Sequence, residues 1–152
     1  MRPPVLFHPA YSVPLPAGHR FPMPKFGRLK EHLLAGGIVS PGQIVTPEPA
    51  PRGWLELVHE PAYVSAVLEQ RLTAEAERRL GLPMSDVLAL RSRAAVAGTL
   101  LAARLALESG LALNTAGGSH HAFAGLGTGF CVFNDVAVAA RRLLAEGLVQ
   151  RV

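Results

Sequence analysis

Cysteine is almost absent from this chain: Cys131 is the single one in 152 residues. One thiol builds no internal disulfide framework, which leaves packing and hydrogen bonds to hold the fold and suits a reducing cytoplasm. No apolar run is long enough to span a bilayer, because Arg104 and Glu108 interrupt the longest one. The start carries no apolar signal core, since Arg2 is followed directly by Pro3 and Pro4. Nor is there a block of lysine or arginine. The net charge of +4 and isoelectric point of about 10 come from scattered basic residues, which read as solvated helix faces rather than a nucleic-acid surface. Internal repeats, low-complexity tracts and interdomain linkers are also lacking. These absences argue against a membrane protein, a secreted disulfide scaffold and a direct nucleic-acid binder, and nothing in the sequence sets an oligomeric state.

What is there reads as a piece of an α/β domain. Residues 1–24 hold eight prolines or glycines, which leaves room for a short strand at 5–8 and then an irregular loop. Lys25–Ala35 reads as a helix with Phe26, Leu29 and Leu33 on one stripe, stopped by Gly36 and Gly37. A strand is expected at Ile44–Val45. Pro61 opens a helix to about residue 72 through Tyr63, Val64, Val67 and Leu68, and a second runs over Ala74–Leu80 to Gly81. The longest periodic stretch is Asp86–Ser109, capped by Ser85, ended by Gly110 and striped by Val87, Leu90, Ala94, Ala97, Leu101 and Leu105. Its Ala94, Ala95, Ala97 and Gly98 permit close packing on a sheet. Residues 111–114 suit a buried parallel strand. A final helix, capped near Asn134 and striped by Val136, Ala139, Ala140, Leu143 and Leu144, stops near Gly147.

Residues 117–135 have little packing logic and much chemistry. Adjacent residues share no helix face and point to opposite sides of a strand, so an ordinary core has no use for His120 beside His121. Each imidazole can donate, accept or carry a proton near neutral pH, which makes the pair a natural proton-handling unit. Gly117 and Gly118 let the backbone bring both rings to one small cavity. Gly125, Gly127 and Gly129 shape the following loop, and Phe130 adds a flat apolar wall. Taken from the residues alone, an exposed His-His pair in a flexible surface loop is the competing reading. The pair falls just past the C-terminal end of the 111–114 strand, where ligand sites of open α/β sheets usually sit.

The motif Gly118-x-His120-His121-Ala122, followed by Gly129-Phe130-Cys131-x-x-Asn134-Asp135, resembles the tandem-histidine segment and following helix of the zinc-dependent histone deacetylase family, which includes bacterial acetylpolyamine and acetoin-utilisation proteins. Phe7-His8-Pro9-x-Tyr11-Ser12, Phe21-Pro22-Met23-Pro24-Lys25-Phe26, Val58-His59-x-Pro61-x-Tyr63-Val64 and Arg91-Ser92-x-x-Ala95-x-x-Gly98-Thr99 are similar too, in the family's order. The likeness is closest to the bacterial or class IV-like branch. It implies a three-layer αβα arginase/deacetylase-like fold with a mainly parallel sheet, and residues 1–152 as the N-terminal part of one such domain.

By the same resemblance His120 and His121 are the general acid/base pair beside a zinc-bound water, and the reaction is hydrolysis of acetyl-lysine or a related acylated small amine. Gly129 and Phe130 would line the channel for the acylated amine. Cys131 would lie near its floor as an inert buried thiol. The family's Asp-x-His and later Asp zinc ligands, the carboxylates paired with the histidines and the carbonyl-polarising tyrosine would all fall beyond Val152, with residues 148–152 beginning the ligand-bearing strand. The expectation is therefore that Zn2+ serves the full-length family, that this chain alone binds none, and that it alone is inactive. A catalytically dead scaffold or interaction fragment of the same fold is the alternative, its unpaired edge near residues 149–152 making it dependent on a partner or prone to aggregate. A small metal module built on the histidine pair is disfavoured, because adjacent histidines rarely chelate one tetrahedral ion. His8 and His59 are expected to satisfy backbone groups. His19 and Lys25 lie in a loop that the resemblance puts near the active-site floor. Arg91 and Arg93 read as solvated or helix-anchoring, and Tyr63 as core.

Overall fold

The computed structural model describes residues 2–152. Three short parallel strands form its sheet in the order β2-β1-β3: β1 is Val5–Leu6, β2 is Ile44–Val45 and β3 is Leu113–Asn114. Val5 stands opposite both Ile44 and Leu113, and Leu6 opposite Val45 and Asn114. Helix α1 (Lys25–Ala35) lies in the connection from β1 to β2. Helices α2 (Arg52–Leu55), α3 (Pro61–Leu68), α4 (Ala74–Leu80) and α5 (Asp86–Ser109) lie between β2 and β3, and α6 (Asp135–Ala145) follows the histidine loop. Helix α5 is the backbone of the assembly, packing on β1, β3, α3 and α6.

Helix ends follow local chemistry. Thr73 Oγ1 accepts from the Ala76 amide at 3.2 Å at the start of α4, and Ser85 Oγ accepts from Leu88 at 3.2 Å at the start of α5. Both helices stop at left-handed glycines, Gly81 and Gly110. Several expected bounds shift for equally local reasons. The first strand ends at Leu6 because His8 Nδ1 takes the Ala10 amide at 2.9 Å, capping a 3-10 turn over Pro9–Tyr11. The helix opened by Pro61 stops at Leu68 rather than near 72, since Gln70 adopts φ 57° and Arg71 N bonds back to Ala66 O at 2.7 Å. Strand β3 is shorter than 111–114 and not buried, with Leu113 46% exposed. Residues 148–152 form no strand, so the sheet is edged by β3 on one side and β2 on the other rather than by the expected 149–152 segment.

Two helical stripes are rotated from expectation. On α5 the exposed positions include Val87 and Leu90, while Leu88, Ala89, Arg91 and Ser92 are buried. Arg91 drives this rotation: Nε donates to the Tyr11 carbonyl at 3.0 Å, and the guanidinium lies over the Phe26 and Phe21 rings at 5.0 and 5.7 Å. Desolvation holds its pKa below the ordinary arginine value. On α6 Val136 is exposed and Asp135 takes the inward place, alongside Val138, Ala139 and Leu143. On α1 only Phe26 is buried, and Leu29 faces solvent. A cluster in which Glu146 accepts from Arg104 at 2.6 Å and from Arg142 fastens α6 to α5, with both guanidiniums over Trp54.

The face of α5 toward the sheet is built from small residues, and Gly98 is where this matters most. A Cβ there would collide with the Tyr11 hydroxyl and come within 2.9 Å of Asn114 Nδ2. We expect Gly98→Ala to lower stability by about 3 kcal/mol in urea unfolding. Adding Tyr11→Phe, which removes the hydroxyl that the new methyl meets, should recover part of the loss; strictly additive effects would place the strain elsewhere.

Candidate functional site

Beyond β3 the chain turns through Ala116, Gly117 (φ 113°) and Gly118 (φ 75°) into the histidine pair. Gly117 has no alternative: a Cβ would stand 2.6 Å from both Asp135 Oδ2 and Thr99 Oγ1, at a φ that L side chains rarely adopt. The two imidazole centroids are 4.0 Å apart with planes tilted by 46°, and both residues are exposed in this chain. His120 Nδ1 lies 2.9 Å from the Gly118 carbonyl oxygen. A carbonyl only accepts, so Nδ1 carries the proton and Nε2 keeps its lone pair. The pair therefore presents a free basic nitrogen beside a second titratable ring.

The loop ahead of the pair is held by a buried carboxylate. Asp135 is fully buried and accepts from Ser119 N at 2.6 Å on Oδ1, from Gly118 N at 2.9 Å on Oδ2, and from the Thr99 hydroxyl. Thr99 Oγ1 in turn accepts from Asn114 Nδ2 at 3.2 Å. Asn114 Oδ1 accepts from Tyr11 OH at 3.1 Å and from the Ala116 amide at 3.3 Å. Burial pushes the Tyr11 phenol well above its usual range, opposed by this bond to Asn114, so Tyr11 is a fixed donor. Sequence reasoning noted Asp135 only within a motif and missed Thr99 and Asn114 as a network.

The loop behind the pair is clamped by His59. Its Nδ1–H donates to the Phe123 carbonyl at 2.9 Å and its Nε2 accepts from the Asn134 amide at 3.0 Å, so one neutral imidazole joins both ends of residues 123–134. Glu60 N adds a bond to Ala124 O at 2.9 Å, and Asn134 Nδ2 one to Ala122 O at 3.2 Å. Asn134 Oδ1 also caps α6 through Ala137 N at 3.1 Å, as its position suggested. Desolvation lowers the His59 pKa, with the Phe123 and Ala124 carbonyls pulling the other way.

Gly129 backs directly onto His121: a Cβ there would lie 3.3 Å from the ring's Cδ2. Phe130 turns elsewhere. Its ring packs on Phe21 at 5.0 Å with the Arg20 guanidinium 4.8 Å over its face, and its amide donates to Leu80 O at 2.8 Å. It holds φ 68°, a strained value for a side chain of this size. Thus His120, His121 and Gly129 come together, while Phe130 joins the loop after residue 18. His19 is consumed structurally, with Nε2 donating to Gly81 O at 3.0 Å and Nδ1 accepting from Phe21 N at 3.1 Å. Lys25 Nζ sits over Phe21 and Phe26, Arg93 Nε anchors to Ala50 O at 2.7 Å, and Tyr63 OH donates to Val132 O at 2.8 Å from the core. Cys131 is buried. A groove of about 990 Å³ opens between α1 and the start of the loop, lined by Lys25, Arg28, His32, Asn114, Gly117 and Gly118 but not by the histidine rings. Among the described residues no three His, Cys, Asp or Glu side chains converge as metal ligands. No helix among them is long and apolar enough to cross a membrane.

The chain is similar to known proteins over most of its length. The histone deacetylase domain matches residues 19–152. An uncharacterised protein of Picosynechococcus sp. is 54% identical over 149 residues, covering 98% of this chain and 50% of that protein. Histone deacetylase 2 of Arabidopsis thaliana is 32% identical over 79% of this chain and 33% of its own length, and the acetoin utilization protein AcuC of Bacillus subtilis is 44% identical over 64% and 28%. The chain thus spans half or less of these relatives. Crystal structures of an HDAC homolog from Aquifex aeolicus and of an HDAC homolog complexed with SAHA superpose with TM-scores of 0.72 and 0.71 over 97% of this chain and 42% of theirs, at 21% identity. The fold is therefore the deacetylase fold, here with its parallel sheet.

The His59 clamp makes stability depend on pH. Its folded pKa lies below the unfolded value near 6.5, so the unfolded chain binds the extra proton first. The contribution is fully present above about pH 6.5 and falls as pH drops toward the lowered folded value. We expect the melting temperature to decline across that window, and His59→Gln, although less stable throughout, to show a shallower decline. Equal slopes for the two proteins would overturn this assignment.

Proposed function

Given that the chain belongs to the histone deacetylase domain family, we propose that residues 1–152 are the N-terminal part of a single deacetylase domain whose whole protein hydrolyses acetyl-lysine or a related acylated small amine. In this reading His120 and His121 are the catalytic proton-handling pair, and Gly129 and Phe130 line the path of the acylated amine. The observation that carries it is the His120 ring, whose Nδ1–H is committed to the Gly118 carbonyl and whose Nε2 is left as a base 4.0 Å, centroid to centroid, from the second imidazole.

Amide hydrolysis needs two proton movements. Water must lose a proton as its oxygen adds to the acyl carbon, and the amine nitrogen must gain one before the C–N bond breaks. Two adjacent imidazoles on one loop answer both needs, one ring accepting as the other donates. Gly129, lying against His121 without a side chain, leaves room for an extended substrate to approach the pair. Phe130, locked by Leu80, Phe21 and Arg20, offers an apolar surface that does not yield.

The family depends on zinc, which would polarise the acyl carbonyl and acidify its bound water. The donor set among the described residues does not fit that ion, since no three ligating side chains converge. The chain supplies the proton-transfer portion, so we propose that alone it binds no catalytic zinc and is inactive. The lone, buried Cys131 suits a cytoplasmic location.

The test is complementation. Joined to the part of the Picosynechococcus relative outside the aligned residues, the chain should release acetate from an acetyl-lysine peptide or an acetylated polyamine. His120→Ala and His121→Ala should each lower kcat by about 10²–10⁴-fold, and the 152-residue chain alone should show no turnover. Full activity in both histidine variants would sink the reading.

A further inference from the structure

We propose that Asp135 is a positioning residue for the histidine pair: its buried carboxylate fixes the Gly118–Ser119 backbone and, through the Gly118 carbonyl, the tautomer and direction of His120. The inference rests on the proton-handling role assigned above to His120 and His121, and adds to it a residue that touches neither ring.

Asp135 begins α6, where the helix dipole favours a negative side chain. It does not cap that helix, a task Asn134 performs through Ala137 N. Both carboxylate oxygens instead reach across to the loop and to α5, accepting from Ser119 N, Gly118 N and the Thr99 hydroxyl. No Lys, Arg or His forms an ion pair with it among the described residues. A fully buried carboxylate held by neutral donors is a costly way to join two elements that apolar side chains could join more cheaply. What it provides is direction: two consecutive amides, Gly118 and Ser119, are pinned to the two oxygens of one rigid group.

That pinning passes to the ring in one step. Gly118 gives its N–H to Asp135, and its carbonyl receives both the His120 amide and His120 Nδ1, each at 2.9 Å. The Gly118 carbonyl shares its peptide plane with the Ser119 N–H that Asp135 Oδ1 holds, so Nδ1 has a fixed acceptor and Nε2 is left as the base. The geometry is braced from behind, because Thr99 is held by Asn114, and Asn114 by Tyr11. It also demands Gly117, whose missing side chain lets the Asp135 and Thr99 oxygens approach within 2.6 Å of where a Cβ would stand.

Asp135→Asn tests this, because an amide keeps the size of the carboxylate but offers only one acceptor oxygen to the two backbone amides. In the ¹⁵N-labelled 152-residue chain, nitrogen shifts of the His120 ring should report the Nδ1–H form in the parent and a mixture of both tautomers in the variant. The Gly118 and Ser119 amides should exchange with solvent at least tenfold faster in the variant while α5 amides stay protected. If Asp135→Asn loses α5 protection as well, Thr99→Val gives the readout: it deletes one donor, keeps the carboxylate, and should shift the His120 tautomer in the same direction. An unchanged His120 tautomer in a folded variant overturns the proposal. This failure is separable from failure of the functional reading. A moved tautomer with full activity of His120→Ala in the complemented enzyme refutes the catalytic role alone, and an unmoved tautomer with an inactive His120→Ala refutes the positioning role alone.

Discussion

The missing side chain at Gly98 is the constraint on which the site depends. It lets the Tyr11 hydroxyl and the Asn114 amide meet against the face of α5, where a methyl group would hold them off. From that meeting the polar chain runs to Thr99, then Asp135, then the amides ahead of the histidines. Each member comes from a different part of the chain: the turn after β1, β3, α5 and the start of α6. The network forms only once these parts of the chain have come together, and its donor roles then run one way: Tyr11 OH donates to Asn114, Asn114 Nδ2 to Thr99, and Thr99 to Asp135, which only accepts.

Much of the fold was legible because its signals are local. Ser85 and Gly110 bracket α5 by capping chemistry that needs no partner outside the helix, and Gly81 ends α4 in the same way. The histidine motif and the following Gly129-Phe130 were equally visible as residue types at fixed spacing. What was not legible is set by distant partners. Arg91 is polar on any helical wheel, yet it is buried because the Tyr11 carbonyl, 80 positions away, receives its Nε, and that burial rotated the expected stripe on α5. Asp135 reads from sequence as an ordinary acidic residue at a helix start; its real partners lie 16, 17 and 36 positions away. Phe130 and His121 are near in sequence, but an αL turn at Gly129 and Phe130 sends the phenylalanine ring onto Phe21 while Gly129 stays with His121.

His59 does for the far end of the loop what Asp135 does for the near end. Its two nitrogens span from the Phe123 carbonyl to the Asn134 amide, closing residues 123–134 into a loop anchored at the start of α3. A neutral imidazole is suited to this because it is at once donor and acceptor, and a second proton would turn its accepting nitrogen into a donor facing the donating Asn134 amide. Burial that depresses its pKa keeps it in the form the clamp requires.

Both anchors are polar although the core beneath them is apolar, and the reason lies in what each force can specify. Hydrophobic burial is non-directional and tolerates small rotations of the groups it brings together, whereas a hydrogen bond weakens steeply once its angle departs from the preferred range. The histidine rings stand exposed in this chain, with Gly129 against one of them and little apolar matter to set their angle. An apolar anchor below such a loop would keep it folded and leave the rings free to turn. A buried carboxylate on two adjacent amides and an imidazole across the loop's far ends instead fix the backbone on both sides of the rings, so the His120 ring, bonded to the Gly118 carbonyl, takes its direction from a peptide plane that cannot rotate without breaking bonds in the interior.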